Sequence, residues 1–559
     1  MHDNKLAPLT ETVASIDTAK HVLNSLHKFV NVGLRALKAA CTVNDKLDLN
    51  LLDDYQLASY ELAFCESEIF AASSFLDYAE QYKSDSLEQK MSLLFAGDTF
   101  QSVISRLKTV STDACLDWDE IVGFEGSQAA RNLIENCNSN IVASLGERIS
   151  EEEISRLPSG LNEEKELVRG TFHRFSDEIV EPLAEEIHRE DKDIPQVIIE
   201  TAADLGCFGT CIPEKYGGLQ PDEAADSLSM IVVTEELSRG SLGAAGSLIT
   251  RPEIAARALL AGGTEDQQQN WLPRLAAGKI LCAISITEPN TGSDVAAVTL
   301  KAKATEGGWL LNGNKTWCTF AGRSELIVML CRTNPDLSLG YKGLSMFLIE
   351  KPPFSGHQFE HRQDGGGKLT GKAIATLGYR GMHSFDLFFE DYFVPTDSLL
   401  GGKEGEGRGF YYTMAGFSGG RIQTAARATG LMQAAFDRAL NYSKERSVFD
   451  KTLNQFQLTQ IKLARMLATI NACRQFSYSV ARLMDNGAGQ MEASLVKLFS
   501  CRAAEWVTRE AMQIHGGMGY AEESAVSRYF ADARVLSIFE GAEEVLALKV
   551  IARELVRNI

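Results

Sequence analysis

The sequence predicts an α+β protein in which one β domain lies between two helical regions, with a further helical segment before them. Apolar residues recur at three- and four-residue spacing before residue 281 and after residue 400, as in amphipathic helices. Between these positions, short runs such as SELIVMLCRT and GLSMFLIEK predict strands. No G-x-G-x-x-G follows a predicted strand, and strands do not alternate with helices. This order disfavours a doubly wound dinucleotide-binding fold.

These patterns divide the chain into four predicted regions. They are a helical N-terminal extension (1–150), an α domain (163–280), a β domain (281–400) and a C-terminal helical bundle (401–559). Two local expectations follow from turn-forming residues. The stretch 139–165 is polar and contains Pro158 and Gly160, so it is predicted to be a linker. Asn312-Gly313 stands between two apolar segments and predicts a hairpin turn.

Composition narrows the function classes. The chain has 559 residues, with 55 Lys plus Arg against 75 Asp plus Glu and a net charge of −20. Phosphate binding depends on Lys and Arg, so this balance disfavours nucleic acid as a partner. No apolar run approaches the ~18 residues that a membrane span needs. The first residues, MHDNKLAPLTETVASID, are typical of neither a secretory signal nor an Arg-rich transit peptide.

The cysteines give a second indication of the compartment. Eleven of them are scattered along the chain, without the paired spacing or nearby histidines of a zinc site. We therefore expect reduced core thiols in a cytoplasmic protein, and we predict no metal site.

Two segments of the predicted β domain contain candidate ring-binding residues. ITEPNTGSDV (286–295) offers the Thr287 hydroxyl and a run of main-chain N–H groups suited to an anion. In KTWCTF, Trp317 and Thr319 are two residues apart on a strand and face the same side. A flat ring could pack on the Trp while the hydroxyl reaches one of its nitrogens. The ordinary alternatives are a capped turn and a core Trp.

Two helical segments contain candidate charged residues. Arg421 and Arg446 lie on amphipathic segments, where a buried guanidinium needs an anionic partner. Glu540 follows the apolar run 536–539 and precedes Gly541, a setting suited to a general base. The ordinary alternatives are intramolecular ion pairs and a solvent-facing Glu at a helix start.

Taken together, these segments resemble the acyl-CoA dehydrogenase family over about 165–559. The family motifs TEP-x-x-GSD, K-x-W-x-T, R-x-x-F, Q-x-x-GG-x-G and EG occur here in the same order. They fall at Thr287–Asp294, Lys315–Thr319, Arg446–Phe449, Gln513–Gly519 and Glu540-Gly541. The resemblance implies an α domain, a central β domain and a C-terminal four-helix bundle, with FAD bound between the β domain and the bundle.

The resemblance also implies a reaction, the α,β-dehydrogenation of an acyl thioester. Glu540 would take the α-proton, and the β-hydride would pass to flavin N5. An electron-transfer flavoprotein would reoxidise the flavin. The implied FAD contacts are Ile286, Thr287, Ser293, Trp317, Thr319, Arg446, Phe449, Gln457, Gln513, Gly516 and Gly517, some of them from the adjoining subunit of a homodimer or homotetramer. The implied substrate contacts are Ser293, Ser418, Arg421, Gly541 and Arg251.

Several positions depart from the family pattern. Some relatives place the base directly before the helix Arg, where this chain has Gly420. Ser418 replaces a common Asp, Ala542 replaces the Thr of EGT, and Asp450 replaces the Gly of R-x-x-FG. The Ser418 difference puts one substrate contact in doubt.

The helical extension, GGGKLTGKAIATLGYRGMHS and MAGFSGGR are similar to the family members that oxidise (2S)-methylsuccinyl-CoA to mesaconyl-CoA. Such a substrate carries a free carboxylate, which needs a cation or several N–H donors. Arg251 is the main candidate and Arg380 the second, since many relatives also have Arg at the latter position. His383 in the same loop is predicted to be structural.

Three other functions remain open from the sequence. The enzyme could act on another short or branched acyl-CoA, or it could use its flavin as an oxidase or monooxygenase. Some family members of similar length bind FAD and nucleic acid with little dehydrogenase activity, which the acidic balance and Glu540 argue against. The extension is expected to cover an apolar surface that shorter relatives bury by pairing dimers into tetramers. The alternative is that it closes over the substrate site and helps to set acyl selectivity.

Overall fold

The N-terminal extension forms a helical layer. The computed structural model describes residues 14–559. Within 14–151 it contains α1 (Ile16–Ala40), a small hairpin of β1 (Thr42–Val43) and β2 (Lys46–Leu47), α2 (Gln56–Ala79), α3 (Leu87–Thr109), α4 (Trp118–Glu125), α5 (Gln128–Glu135) and α6 (Ser139–Glu151). The Ser15 side chain accepts a hydrogen bond from Thr18 N–H and caps the start of α1.

An α domain follows the extension. Its helices are α7 (Glu163–Phe175), α8 (Glu181–Arg189), α9 (Gln196–Asp204), α10 (Ser227–Gly240), α11 (Thr250–Gly262) and α12 (Glu265–Ala276). Helix α12 begins with a capping box, in which Thr264 and Gln267 each bond the other's main-chain N–H.

The central β domain is one eight-stranded mixed sheet. Its strands are β3 (Cys282–Ser285), β4 (Lys301–Thr305), β5 (Gly308–Thr319), β6 (Leu326–Arg332), β7 (Leu344–Glu350), β8 (Gln358–Arg362), β9 (Lys368–Ala373) and β10 (Ser384–Pro395). The spatial order is β3-β6-β4-β5-β10-β9-β8, and β7 pairs with β6. Strand β6 is buried along its whole length, as its continuous apolar run predicts.

The C-terminal region is a helical bundle. It contains α13 (Gly409–Phe417), α14 (Gly420–Glu445), a hairpin of β11 (Ser447–Val448) and β12 (Lys451–Thr452), α15 (Gln457–Asp485), α16 (Gln490–Ile514), α17 (Ala525–Leu536), α18 (Glu543–Val545) and α19 (Ala552–Asn558). Helices α14, α15, α16 and α17 pack on one another, and α10 of the α domain packs along α14. The predicted fold class, with a helical domain, a β domain and a helical bundle, is confirmed.

The extension lies against the bundle. Phe70 of α2 stacks on Phe476 of α15, with ring centres 6.1 Å apart, and Ser67 Oγ donates to Leu495 O of α16 at 2.6 Å. Arg465 makes a two-pronged ion pair with Asp98 of α3 at 2.9 and 3.0 Å. Aromatic stacking and a two-pronged pair fix one orientation, so the extension is an integral layer of the fold.

The linker predicted at 139–165 is wrong for residues 139–151, which form α6. Val142, Leu145 and Ile149 recur at helical spacing and are buried, while the polar residues that suggested a linker lie mostly on the outer face. Helix α6 packs closely on α15 at Gly146, where a Cβ atom would come within 1.9 Å of Gln460 O. Only a glycine permits that approach.

The hairpin predicted at Asn312-Gly313 is also wrong. Both residues lie inside β5, and the turn between β4 and β5 falls at residues 306–307. The pairing of β5 with β10 shifts register beside them, and Asn312 exchanges two hydrogen bonds with Asp391 at 2.9 and 3.0 Å. A β-bulge uses the same residue types as a tight turn, which explains the error.

Candidate active site

The β-domain motifs are held together by a buried ion pair. Lys315 Nζ lies 2.9 Å from Glu288 Oε1, and both side chains are buried. Glu288 also accepts from the N–H groups of Thr299 and Leu300, each at 2.8 Å. Burial raises the pKa of Glu288, but Lys315 and the N–H donors outweigh it, so the pKa lies below its usual value. The pair ties the 286–295 loop to β5.

This anchoring presents a ring-binding surface. Trp317 is 55% exposed and has a φ of +56°, so the core alternative for this residue is wrong. Thr319 is half-buried, and its Oγ1 lies 2.9 Å from Ser384 Oγ of β10. Ile286 is buried, Thr287 is half-buried and Ser293 is exposed. An exposed Trp beside a hydroxyl is the arrangement that the sequence predicted for a flat ring.

The bundle-side candidates are all exposed on this chain. They are Arg446, Phe449, Gln457, Gln513, Gly516 and Gly517. Phe449 is 90% exposed, in the turn between β11 and β12. A Cβ atom on Gly516 or Gly517 would meet nothing within 4 Å. Gln457 Nε2 donates to Asn140 Oδ1 of α6 at 3.1 Å, an exposed contact with the extension.

Glu540 lies in the turn between α17 and α18. Its φ is +56° and that of Gly541 is +105°, so the chain turns sharply at the carboxylate. The position that a Cβ atom on Gly420 would occupy is 2.7 Å from Glu540 Oε2. The Gly541 carbonyl accepts from Lys497 Nζ at 2.6 Å, which fixes the turn to α16.

Arg427 is a site residue that the sequence reasoning missed. Its side chain is fully buried, and its Nη2 lies 3.7 Å from Glu540 Oε1. Its guanidinium carbon stands 4.7 Å from the ring centre of Phe539. Arg427 follows Gly420 by two helical turns of α14, so the two share a face. That spacing is the signal that could have identified it.

Arg251 belongs to the same buried cluster. Its Nη1 donates to Ser247 O at 3.1 Å and its Nη2 to Tyr379 OH at 3.3 Å. Ser247 Oγ accepts from Tyr379 OH at 2.5 Å and from Arg427 Nη1 at 2.7 Å. The Tyr379 ring makes an edge contact with Phe539, with centres 5.5 Å apart. A continuous path of contacts therefore joins Arg251 to Glu540.

The remaining candidates lie around this cluster. Arg421 Nη1 donates to Ser494 Oγ at 2.8 Å, and burial lowers the pKa of its guanidinium, an effect that Glu540 opposes. Ser418 Oγ donates to Ala415 O at 2.7 Å within its own helix turn. Arg380 donates to His188 O at 2.7 Å and Thr376 O at 3.1 Å, and its Nε lies 3.7 Å from Asp191 Oδ1, so its guanidinium is already partnered.

Known families match this architecture in three consecutive stretches. The models of the acyl-CoA dehydrogenase N-terminal, middle and C-terminal domains match residues 162–279, 283–392 and 407–556. Together they cover more than half of the chain. The chain belongs to the acyl-CoA dehydrogenase family.

Individual relatives of this acyl-CoA dehydrogenase differ in how much of the chain they match. A (2S)-methylsuccinyl-CoA dehydrogenase of Cereibacter sphaeroides is 38% identical over 547 residues, 96% of this chain and 97% of the relative. The solved butyryl-CoA dehydrogenase of Megasphaera elsdenii has a TM-score of 0.65 and 32% identity, and it covers 72% of this chain and 100% of its own. A glutaryl-coenzyme A dehydrogenase in complex with glutaryl-CoA has a TM-score of 0.64 and 28% identity, covering 71% and 96%.

Family membership makes the protein an oxidoreductase with FAD as its cofactor. The residues present fit that group. Trp317 is an exposed aromatic side chain beside the Thr319 hydroxyl, and open space surrounds Gly516 and Gly517. In residues 14–559 no helix is long and apolar enough to cross a membrane. All eleven cysteines are free thiols, and nine of them are buried.

Proposed function

We propose that this acyl-CoA dehydrogenase oxidises (2S)-methylsuccinyl-CoA to mesaconyl-CoA, with Glu540 as the base for the α-proton. The Cereibacter relative carries the name of this activity and matches the chain from the extension to the bundle. The solved butyryl-CoA and glutaryl-CoA enzymes match only about the last seven-tenths. The relative that matches the extension is therefore also the one whose name supports the proposed substrate.

One observation carries the substrate class: buried positive charge beside Glu540 exceeds buried negative charge. Arg251 and Arg427 are both buried, and Glu540 is the one carboxylate of the described chain within 4.0 Å of either. Neighbouring Glu253 is paired with Arg257. A buried guanidinium without an anionic partner is costly. A substrate with a second carboxylate would supply the missing charge.

Arg251 and Tyr379 would bind that distal carboxylate. Arg251 contacts a carbonyl and a phenol hydroxyl, neither of which is charged, so its guanidinium can accept an anion without breaking an ion pair. A charge-assisted hydrogen bond of this kind contributes about 1.5–3 kcal/mol. Arg421, which donates to Ser494 Oγ, is left for the CoA portion.

The chain's own groups divide the work of the reaction. Bound FAD, held by Trp317, Thr319 and the 286–295 loop, supplies the acceptor for the β-hydride. Glu540 takes the α-proton, and the Arg427 guanidinium 3.7 Å away orients its carboxylate. The Glu540 N–H has no main-chain acceptor among residues 14–559, so it can donate to the thioester oxygen as enolate charge develops.

The exposed bundle residues support an assembly of two or four identical chains. Phe449 is 90% exposed, so its ring is free to contact an adjoining subunit. Arg446, Gln457 and Gln513 would reach the FAD of the adjoining subunit. An electron-transfer flavoprotein would remove the electrons.

A panel of acyl-CoA thioesters assayed with an artificial electron acceptor tests the proposal. The expected result is the highest kcat/KM for (2S)-methylsuccinyl-CoA, with mesaconyl-CoA as the product identified by mass spectrometry. The second candidate function is a dehydrogenase for another short or branched acyl-CoA. It predicts the highest kcat/KM for a thioester whose acyl chain carries no carboxylate.

A further inference from the structure

Three side chains of types that can bind metals lie together where the α domain meets the β domain. They belong to Asp191, His357 and His383. Asp191 lies between α8 and α9, His357 directly before β8 and His383 directly before β10. One ligand atom from each lies within 4.8 Å of the others. Asp191 is 166 residues from His357 and 192 residues from His383 in the sequence. Separations this long do not form a recognisable metal-binding motif.

The distances match the edges of a tetrahedral site. The Nε2 atoms of His357 and His383 are 3.0 Å apart, and Asp191 Oδ1 lies 3.2 Å from Nε2 of His383. Asp191 Oδ2 and its main-chain O lie 3.7 and 2.9 Å from His357 Nε2. Zinc bound to N and O ligands at ~2.0–2.2 Å requires ligand atoms about 3.3 Å from one another.

Asp191 Oδ1 has two basic neighbours, His383 Nε2 at 3.2 Å and Arg380 Nε at 3.7 Å. His383 Nδ1 lies 3.2 Å from Asp193 Oδ1, and in the tautomer that donates the Nδ1 proton to this carboxylate the ring presents a lone pair on Nε2. His357 Nε2 has one proton at most and faces three acceptors: His383 Nε2, Asp191 O and Asp191 Oδ2. A cation at the centre satisfies all of these lone pairs at once.

Two further features are typical of a metal centre. A carboxylate on the far nitrogen of a ligand histidine, as Asp193 is on His383, fixes the ring and its tautomer in metal sites. Asp191 and His383 also have positive φ values, +52° and +46°, although neither is glycine. Such backbone conformations cost free energy and persist where a site requires them. His357 is 47% exposed, which gives an ion a path from solvent.

We propose that Asp191, His357 and His383 bind a divalent transition-metal ion of the zinc class, oriented by Asp193. The bound ion would fasten the 190–195 segment to the start of β10. His383 O accepts from Phe320 N at 2.8 Å, and Ser384 Oγ lies 2.9 Å from Thr319 Oγ1. The site therefore lies one hydrogen bond behind the Trp317–Thr319 segment, and it stands independently of the substrate.

Equilibrium dialysis of the untagged, FAD-containing enzyme against zinc, followed by elemental analysis, tests the site. After treatment with a chelator, the wild type should take up one more zinc ion per chain than His357→Ala. His357 is exposed, so this variant should fold, and zinc affinity should fall by at least about 100-fold. Asp193→Asn should lose about 10–100-fold, as expected for a residue that orients a ligand.

His21→Ala is the matched control, because His21 is an exposed histidine of α1 remote in sequence from the cluster. It should bind zinc like the wild type. Zinc should also raise the Tm of the wild type and of His21→Ala, but not that of His357→Ala. Equal zinc uptake by the wild type and His357→Ala, or no uptake by either, would overturn the proposal.

Discussion

Glu540 Oε2 lies 2.7 Å from the point where a Cβ atom on Gly420 would stand. The turn after α17 and the start of α14 are therefore two routes by which a side chain could reach the same place. In this chain only the first carries a carboxylate. Glu540 occupies that place with a strained φ of +56°, and Gly420 leaves the space for it. This relationship predicts that a carboxylate from either position can reach the same place.

Glu540→Gln should retain FAD and fold but lose dehydrogenation, because general-base catalysis contributes ~10²–10⁴-fold. The rate of flavin reduction by substrate in a single turnover measures the loss. The flavin absorption spectrum is the control for cofactor binding. Turnover close to that of the wild type would remove Glu540 from the role of base.

The same geometry predicts a relocated base. Gly420→Glu/Glu540→Gly should recover at least about tenfold over Glu540→Gln, because the new side chain starts beside the old carboxylate and glycine relieves the positive φ. Gly420→Glu alone should be poorly active, since its Cβ atom crowds Glu540. A double variant no better than Glu540→Gln would show that the two routes are not equivalent here.

Arg251→Met should reduce kcat/KM for (2S)-methylsuccinyl-CoA by about 10–100-fold and change that for butyryl-CoA much less. The buried guanidinium loses a charge-assisted hydrogen bond to the distal carboxylate, and Met retains most of the volume. Arg380→Met is the matched control, because that guanidinium is occupied by main-chain carbonyls and by Asp191, and its loss should affect both thioesters alike. Equal losses on both thioesters in Arg251→Met would show that Arg251 does not bind the distal carboxylate.

Removing residues 1–150 should lower solubility or change the subunit count in light scattering. The deletion exposes the faces of α15 and α16 that carry Phe476 and Phe499, now covered by Phe70 and Phe95. Any soluble fraction should keep its FAD and its acyl preference, because the extension's contacts nearest the site, Asn140 with Gln457 and Tyr60 with Glu543, do not involve Glu540 itself. Unchanged assembly with a broader acyl-CoA profile would place the extension in the active site.

Asp532 predicts a pH dependence of stability. Its carboxylate accepts from Tyr379 N–H at 2.6 Å, and complete burial raises its pKa to about 6 despite neighbouring Arg528. The folded state thus binds more protons than the unfolded chain between pH ~4 and ~6, so this group's contribution to stability falls as pH rises through that window.

Asp532→Asn keeps the acceptor oxygen and removes the titration. Relative to the wild type, its free energy of unfolding should increase by about 1 kcal/mol between pH 5 and pH 7.5. Urea unfolding at both pH values measures the difference. A constant gap between the two proteins would show that Asp532 does not titrate in this range.

The sequence was sufficient for the order of the helical and β regions and for the family motifs, because both are local patterns. It was insufficient where distant segments meet. Tyr379 contacts Arg251, 128 residues away, and Ser247, 132 residues away, and no periodicity encodes such contacts. Arg427 belongs to none of the family motifs, and only its two-turn spacing from Gly420 on α14 marks it in the sequence.

The two local errors have physical causes as well. Asn312-Gly313 has the residue types of a turn, yet pairing with β10 on one side and β4 on the other keeps β5 continuous as a bulge. The 139–151 stretch is polar on average, yet its few apolar residues share one helical face. Average polarity does not reveal that face, whereas spacing does.

The ratio of kcat/KM for (2S)-methylsuccinyl-CoA to that for 2-methylbutyryl-CoA tests the central claim most directly. The two thioesters share the α-methyl branch and differ in the distal carboxylate, so the ratio isolates recognition of that charge. The buried excess of guanidinium charge beside Glu540 predicts a ratio of at least about 100 in favour of methylsuccinyl-CoA, from two charge-assisted hydrogen bonds. A ratio near or below one would contradict the account, because a site built for a neutral chain gains nothing from the carboxylate.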